Sequence, residues 1–156
     1  MYAVAHYEEA IRLDPLNARL YHHAARTYAA AGRLAHAIRC YQSALDVAPD
    51  DVEAIIRLTQ AWIANKQFDD AQQLLTAQLS RGRHTTEFAL LLGVLYQEAG
   101  APQEAVRAFE RAVASNDASA QAHFYLGVQL ERLGRTPEAR QELRRAIALD
   151  RNHADA

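Results

Sequence analysis

The chain is poor in the residues that crosslink, break or anchor a polypeptide. Its 156 residues include one cysteine, four prolines and six glycines. A lone cysteine, Cys40, can form no internal disulfide. That permits a reducing compartment, and a cytoplasmic location is favoured. The scarcity of proline and glycine suits helices. The longest nearly apolar run, Phe88 to Tyr96, is far short of the ~20 residues a spanning helix needs, so membrane insertion is not expected. The opening MYAVAHYEEAIRLDP has no basic segment followed by an apolar core, and it does not read as a signal peptide. Neither sign of charge dominates: 17 Lys and Arg face 19 Asp and Glu, a formal net charge of −2. Nucleic acid is disfavoured as a main partner, because neutralising phosphates takes an excess of Lys and Arg on one face. Disorder is excluded as well, since half the residues are apolar and 23% are charged.

The motifs of catalysis are missing too. His22 and His23 are adjacent, so on a helix they point about 100° apart and do not readily share a metal. No histidine pair is spaced i, i+4, and there is no His-Glu-x-x-His or Cys-x-x-Cys. His6, His36, His84, His123 and His153 are scattered. A Gly-rich phosphate loop and a Gly-x-Ser-x-Gly elbow are both absent. Cys40 lies beside Arg39 and reads as a structural thiol rather than a nucleophile. Pairs such as Glu8–Arg12 and Glu131–Arg135 read as solvated helix faces. The expectation is a protein without catalysis, metal or cofactor of its own.

What the sequence does contain is a period. From Phe88 to Val113 it divides at Gly100 into two apolar-periodic segments. Ala89, Leu92, Gly93 and Tyr96 share one helical face, and Ala105, Phe109 and Ala112 share another. Gly100 suits the left-handed residue that ends a helix. Equal steps back from Ala105, Phe109 and Ala112 reach Ala71, Leu75 and Gln78, then Ala37, Tyr41 and Ala44, then Ala3, Tyr7 and Ala10; the same step forward gives Ala139, Leu143 and Ala146. The leading position is alanine in all five copies.

Paired helices recurring at a constant step of about 34 residues resemble the tetratricopeptide repeat family. The first-helix positions of that family read Leu92, Gly93 and Tyr96 in one copy and Leu126, Gly127 and Leu130 in the next. Earlier copies have Tyr21, Ala24, Ala25 and Tyr28, then Ile55, Leu58, Thr59 and Trp62. The family's closing proline appears as Pro15 and Pro49 and is replaced by Arg83, Asp117 and Arg151. The resemblance covers essentially the whole chain. It divides it into the second helix of a truncated repeat at 1–17 and full repeats at 18–51, 52–85, 86–119 and 120–153. The implied fold is all-α: a right-handed superhelical solenoid of antiparallel helix hairpins, nine helices in a single solenoid domain, because one hairpin cannot bury its apolar face alone. Met1 falls within the second helix of a repeat, so the chain reads as a piece of a longer protein.

Helix starts are marked by Asn17, Asp51, Thr85 and Ser119, each expected to cap the first helix of a repeat. Thr136-Pro137-Glu138 reads as a cap, a first-turn proline and an acidic first turn. Gly32, Gly100 and Gly134 sit at the turns inside their repeats, with Lys66 in that place in the second. The second repeat departs furthest from the others, having Gln78 as well where its neighbours have alanine. This is either drift in one copy or a change of pitch, a hinge.

What remains for function is a surface. In the family resembled, first helices line a concave groove that holds a peptide or partner helix. The matching positions include Arg19, His22, His23 and Arg26 in the first full repeat, then Ile56, Arg57 and Gln60 in the second. The third has Leu90, Leu91 and Val94, and the fourth Phe124, Tyr125 and Val128. The series runs from basic and polar to apolar. The first helix of the third repeat is apolar nearly all round, so Leu90, Leu91 and Val94 either pack against neighbouring hairpins or form an exposed patch. Arg19, Arg26 and Arg57 either receive carboxylates or phosphates or form a solvated basic face. The family's carboxylate clamp is not matched: its Lys and Asn positions hold His22, Arg26, Arg57, Glu87 and Leu91, or one repeat later Ile56, Gln60, Leu91, Gln121 and Tyr125. Its asparagine ladder is missing, the series being His23, Arg57, Leu91 and Tyr125. The resemblance implies a protein–protein interaction scaffold with a protein or peptide partner. The alternatives are a homo-oligomeric module that self-associates through its repeat ends, or the regulatory region of a larger enzyme.

Overall fold

The computed structural model describes residues 2–82 and 84–154, with side chains described for 6–82 and 84–151. Arg83 and the side chains of Ala3 and His153 lie outside the described residues. Among the described residues there are nine α-helices and no strand: α1 (Tyr2–Leu13), α2 (Ala18–Ala30), α3 (Leu34–Val47), α4 (Val52–Ala64), α5 (Phe68–Ser80), α6 (Thr85–Glu98), α7 (Pro102–Ser115), α8 (Ala120–Arg132) and α9 (Thr136–Ala154). They form two compact units, Met1–Ala71 and Gln72–Ala156, with the division inside α5. The division therefore falls in the second repeat, the one whose residues depart furthest from the period.

In the first unit α1 packs on α2, α2 on α3, and α3 on α4. Ala24, Ala25, Ala37, Ala44 and Ala54 are almost wholly buried there. Their small side chains let helix axes approach, while Tyr28, Tyr41, Ile55, Leu58 and Trp62 fill the space between. In the second unit α6 packs on α7, α7 on α8, and α8 on α9, with α6 also touching α8. Its core holds Leu75, Phe88, Leu95, Ala105, Phe109 and Ala112, each 1% exposed or less. Two crossings are tighter than alanine allows. A Cβ built on Gly93 would run into the Phe109 ring, and one on Gly127 would come within 2.7 Å of Leu143 Cγ.

The turns within repeats end in left-handed residues. Gly32, Gly100 and Gly134 have φ of 71°, 72° and 75°, and Lys66 adopts φ 59° in the same place. A side chain there costs ~1–2 kcal/mol. The lysine keeps the turn geometry of its glycine counterparts.

Helix starts follow the sequence in two cases and shift in others. Asp51 accepts a hydrogen bond from the Ala54 N–H at 3.0 Å, and Ser119 from the Ala122 N–H at 3.2 Å. Asn17 occupies the capping position but makes no such bond; its amide donates instead to Asp14 at 3.0 Å. Thr85 is not a cap. It is the first residue of α6, the capping position belongs to His84 in a left-handed conformation, and the Thr85 hydroxyl turns back to the Gly82 carbonyl at 3.3 Å. Thr136 likewise lies inside α9, where the Arg135 carbonyl accepts the first helical bond, from Ala139.

Candidate partner-binding surface

In the first unit the polar candidates separate into fixed and available groups. His22 is fixed: its Nε2 meets Asp51 Oδ2 at 2.9 Å, and its ring stands edge-on to Tyr41, 5.9 Å between centroids. Burial works to raise the Asp51 pKa, but the Ala54 N–H and His22 outweigh it and hold the carboxyl below its ordinary value. His23 is exposed and stacks on Tyr7 at 5.8 Å. Arg19 is exposed and Ile56 half-buried. Arg26, Arg57 and Gln60 come together. They line one pocket of about 390 Å³ with Ala29, Leu34, Tyr41, Ala61 and Ala64. Arg57 touches Gln60 at 3.4 Å and Glu53 at 3.8 Å. Among the described residues Arg26 has no ion-pair partner. Burial raises the Tyr41 pKa, while Arg57 and Arg26 pull it back.

In the second unit the apolar candidates divide by exposure. Leu90 is buried, at 8%, and leaves little surface to a partner. Leu91, Val94, Tyr125 and Val128 are half-buried, and Phe124 is 50% exposed. Phe124 lies edge-on to Tyr125 at 5.8 Å, and Tyr125 stacks on the buried Phe109 at 5.5 Å. An exposed ring thus touches a second ring that is seated on the core. Two tetratricopeptide repeat family models match the sequence, one over residues 3–52 and 90–154, the other over 28–95. The chain belongs to the tetratricopeptide repeat family.

The solved structures similar to this tetratricopeptide repeat chain share its fold. Tetratricopeptide repeat protein 7B of Mus musculus is 25% identical over 165 positions, covering 96% of this chain and 20% of that protein. The chain thus spans a fifth of that relative's length. Among solved structures, MamA superposes with a TM-score of 0.80 at 20% identity, covering 98% of this chain and 90% of that one. MamA from Desulfovibrio magneticus RS-1 gives 0.78 at 19% identity over 96% and 84% of the two chains. YrrB, described as a TPR protein with an unusual peptide-binding site, gives 0.69 at 21% identity over 97% and 78%.

Several polar residues of this tetratricopeptide repeat chain are held inside it. His123 is 4% exposed, with Nδ1 at 2.6 Å from Glu142 Oε2 and Nε2 at 3.0 Å from the Asp117 carbonyl. A carbonyl only accepts, so Nε2 carries the hydrogen. Gln129, 2% exposed, accepts from Gln97 at 2.7 Å and donates to the Pro102 carbonyl at 3.3 Å. The sequence carried a signal for His123: it stands one repeat length after Ala89 and two after Ile55, both core positions. An imidazole placed there needs partners. Burial raises the Cys40 thiol pKa, with Arg39 opposing, which suits an inert thiol. Among the described residues, no group of three His, Cys, Asp or Glu is placed to hold a metal ion, and no helix is long and apolar enough to cross a membrane.

Proposed function

We propose that the chain is a non-catalytic protein–protein interaction module that holds a peptide or helix of a partner against its first-helix faces. The observation that carries this reading is Phe124, half exposed on α8 and edge-on to Tyr125, which itself stacks on the buried Phe109. A large ring exposed at the surface offers apolar contact area of the kind that anchors interfaces. Leu91, Val94 and Val128, partly exposed in the same unit, add to the apolar area. The peptide-binding description of YrrB is in keeping with this role. Selection from a displayed random peptide library tests it. Binders should be enriched, and Phe124→Ser and Leu91→Glu should each abolish their binding while helicity by circular dichroism is kept. Absence of enriched binders, or binders indifferent to both substitutions, would reject the reading.

A second reading, self-association, is favoured by exposed leucines at and just after the end of α1 and an exposed isoleucine on α9. Leu13 and Leu16 are 72% and 79% exposed, and Ile147 is 55% exposed. Sedimentation across a concentration series decides: a rising mass lost in Leu16→Ser or Ile147→Ser supports assembly, and a constant monomer mass removes it.

A further inference from the structure

We infer that the first-unit pocket receives the carboxylate of an acidic side chain within an internal segment of a partner protein, with a neighbouring apolar side chain against Leu34, Ala29 and Ala64. This rests on the reading of the chain as a partner-binding module and names the chemistry that one of its sites selects. The size of the pocket comes first. About 390 Å³ is at the small end of ligand sites, room for one or two side chains. Its lining has two characters. Arg26 from α2 and Arg57 and Gln60 from α4 supply hydrogen-bond donors, whereas alanines, Leu34 and the Tyr41 ring supply apolar wall. A simple anion would leave that wall unused. An acidic residue beside an apolar one uses both.

Charge selects among anions. Two guanidiniums and the Glu53 carboxylate near Arg57 leave a single positive charge. One carboxylate balances it, and a doubly charged phosphate would leave a surplus. The other charged pair near Tyr41 is already closed, since Asp51 holds His22 at 2.9 Å. The Glu53 contact is long and its partners are half exposed, 3.8 Å with 48% and 60% of the side chains accessible, so an incoming carboxylate competes with a weak pair. The lining also distinguishes an internal side chain from a chain end. Capture of a terminal carboxylate typically uses a nest of backbone N–H groups. Here the polar lining residues, Arg26, Arg57 and Gln60, lie beyond the first turn of their helices, where the N–H groups are engaged in helical bonds; of the lining only Leu34 stands at a helix start.

Fluorescence anisotropy with two panels of labelled hexapeptides, acetylated and amidated, tests the assignment. One panel carries a central Glu-Leu and the other Gln-Leu. The Glu panel should bind about tenfold or more tightly, the scale of a charge-assisted hydrogen bond. Arg26→Gln and Arg57→Gln should each reduce it to the level of the Gln panel, and sodium phosphate at matched ionic strength should not displace it. Equal binding of the panels, Glu binding that survives both substitutions, or displacement by phosphate would overturn the inference. So would a Gln-Leu panel with free C-termini that binds as tightly as the Glu panel. Peptides that bind through Phe124 and ignore both arginines would defeat this inference alone. No binding by any peptide, displayed or synthetic, would defeat the underlying function with it.

Discussion

The second and third repeats set different residues on the same frame. At one core position, equivalent in the repeat, the second has Thr59 and the third Gly93. Thr59 is fully buried, and its Oγ1 has no hydrogen-bond partner among the described residues. Gly93 is buried with Phe109 where a Cβ would be. At the turn the second has Lys66 at φ 59° and the third Gly100 at φ 72°. In the second helix of each repeat, Gln78 is 8% exposed where Ala112 is wholly buried. The period and the placing of small and large side chains set the backbone. Individual mismatches are tolerated as local costs of about 1–3 kcal/mol each. The third repeat meets the frame's demands, and the second departs from them at three sites.

The largest effect should come from taking away the third repeat's advantage. Gly93→Ala is expected to destabilise by about 1–3 kcal/mol through overpacking, despite alanine's better helix propensity, and Phe109→Leu should recover part of the loss in the double variant. Urea unfolding of the single and double variants checks this; a neutral Gly93→Ala would break the comparison. Removing the cap of the second repeat comes next. Asp51→Ala should cost about 0.5–2 kcal/mol at neutral pH. Because the folded Asp51 carboxyl titrates below its ordinary value of 3.8, its contribution is fully present above that value and is lost as pH falls through the lower folded one. The gap between wild type and variant should therefore close on acidification. Exchanging the turn residues gives effects of opposite sign in the two repeats. Gly100→Lys should destabilise by ~1–2 kcal/mol, and Lys66→Gly should stabilise by up to ~1 kcal/mol, read from the thermal midpoint. No Cβ clash occurs at Gly100, so that shift reports backbone conformation alone. Smallest of all, Thr59→Val should be neutral or stabilising by under ~1 kcal/mol, since it removes an unpaired hydroxyl at constant shape; a clear loss would show that the hydroxyl has a partner in solution.

Much of the fold was legible because a crossing of two helices leaves few solutions. Ala37, Ala71 and Ala105 are fully buried, and the constant step that joins them was visible in the spacing alone. The starts of α4 and α8 were legible for the same reason: a side-chain oxygen at the capping position has one local bond to make. Thr85 and Thr136 misled because threonine also fits the first turn, and only backbone geometry separates the two places. The candidate surface was less legible. Leu90 and Leu91 are neighbours of one chemical type, yet one is buried and the other half exposed, and helical phase alone does not divide them. His22 falls in the groove series, yet it is paired: its partner, Asp51, is 29 residues away, and no short spacing announces the pair. The sequence did bring Arg26 and Arg57 forward, but the Leu34 and Tyr41 side chains that give their pocket an apolar wall belong to α3, outside the first-helix series.

Asp51 performs two tasks with one carboxylate. Oδ1 closes the start of α4 and Oδ2 holds His22 in the middle of α2. The first turn of one repeat cannot fray without releasing a side chain of the repeat before it. In a chain whose stability is a sum of repeat and neighbour terms, such a shared atom group is a neighbour term concentrated in a single residue. Amide exchange at the start of α4 and around His22 should then follow one opening event, and unfolding in this part of the chain should spread by whole repeats rather than by single helices.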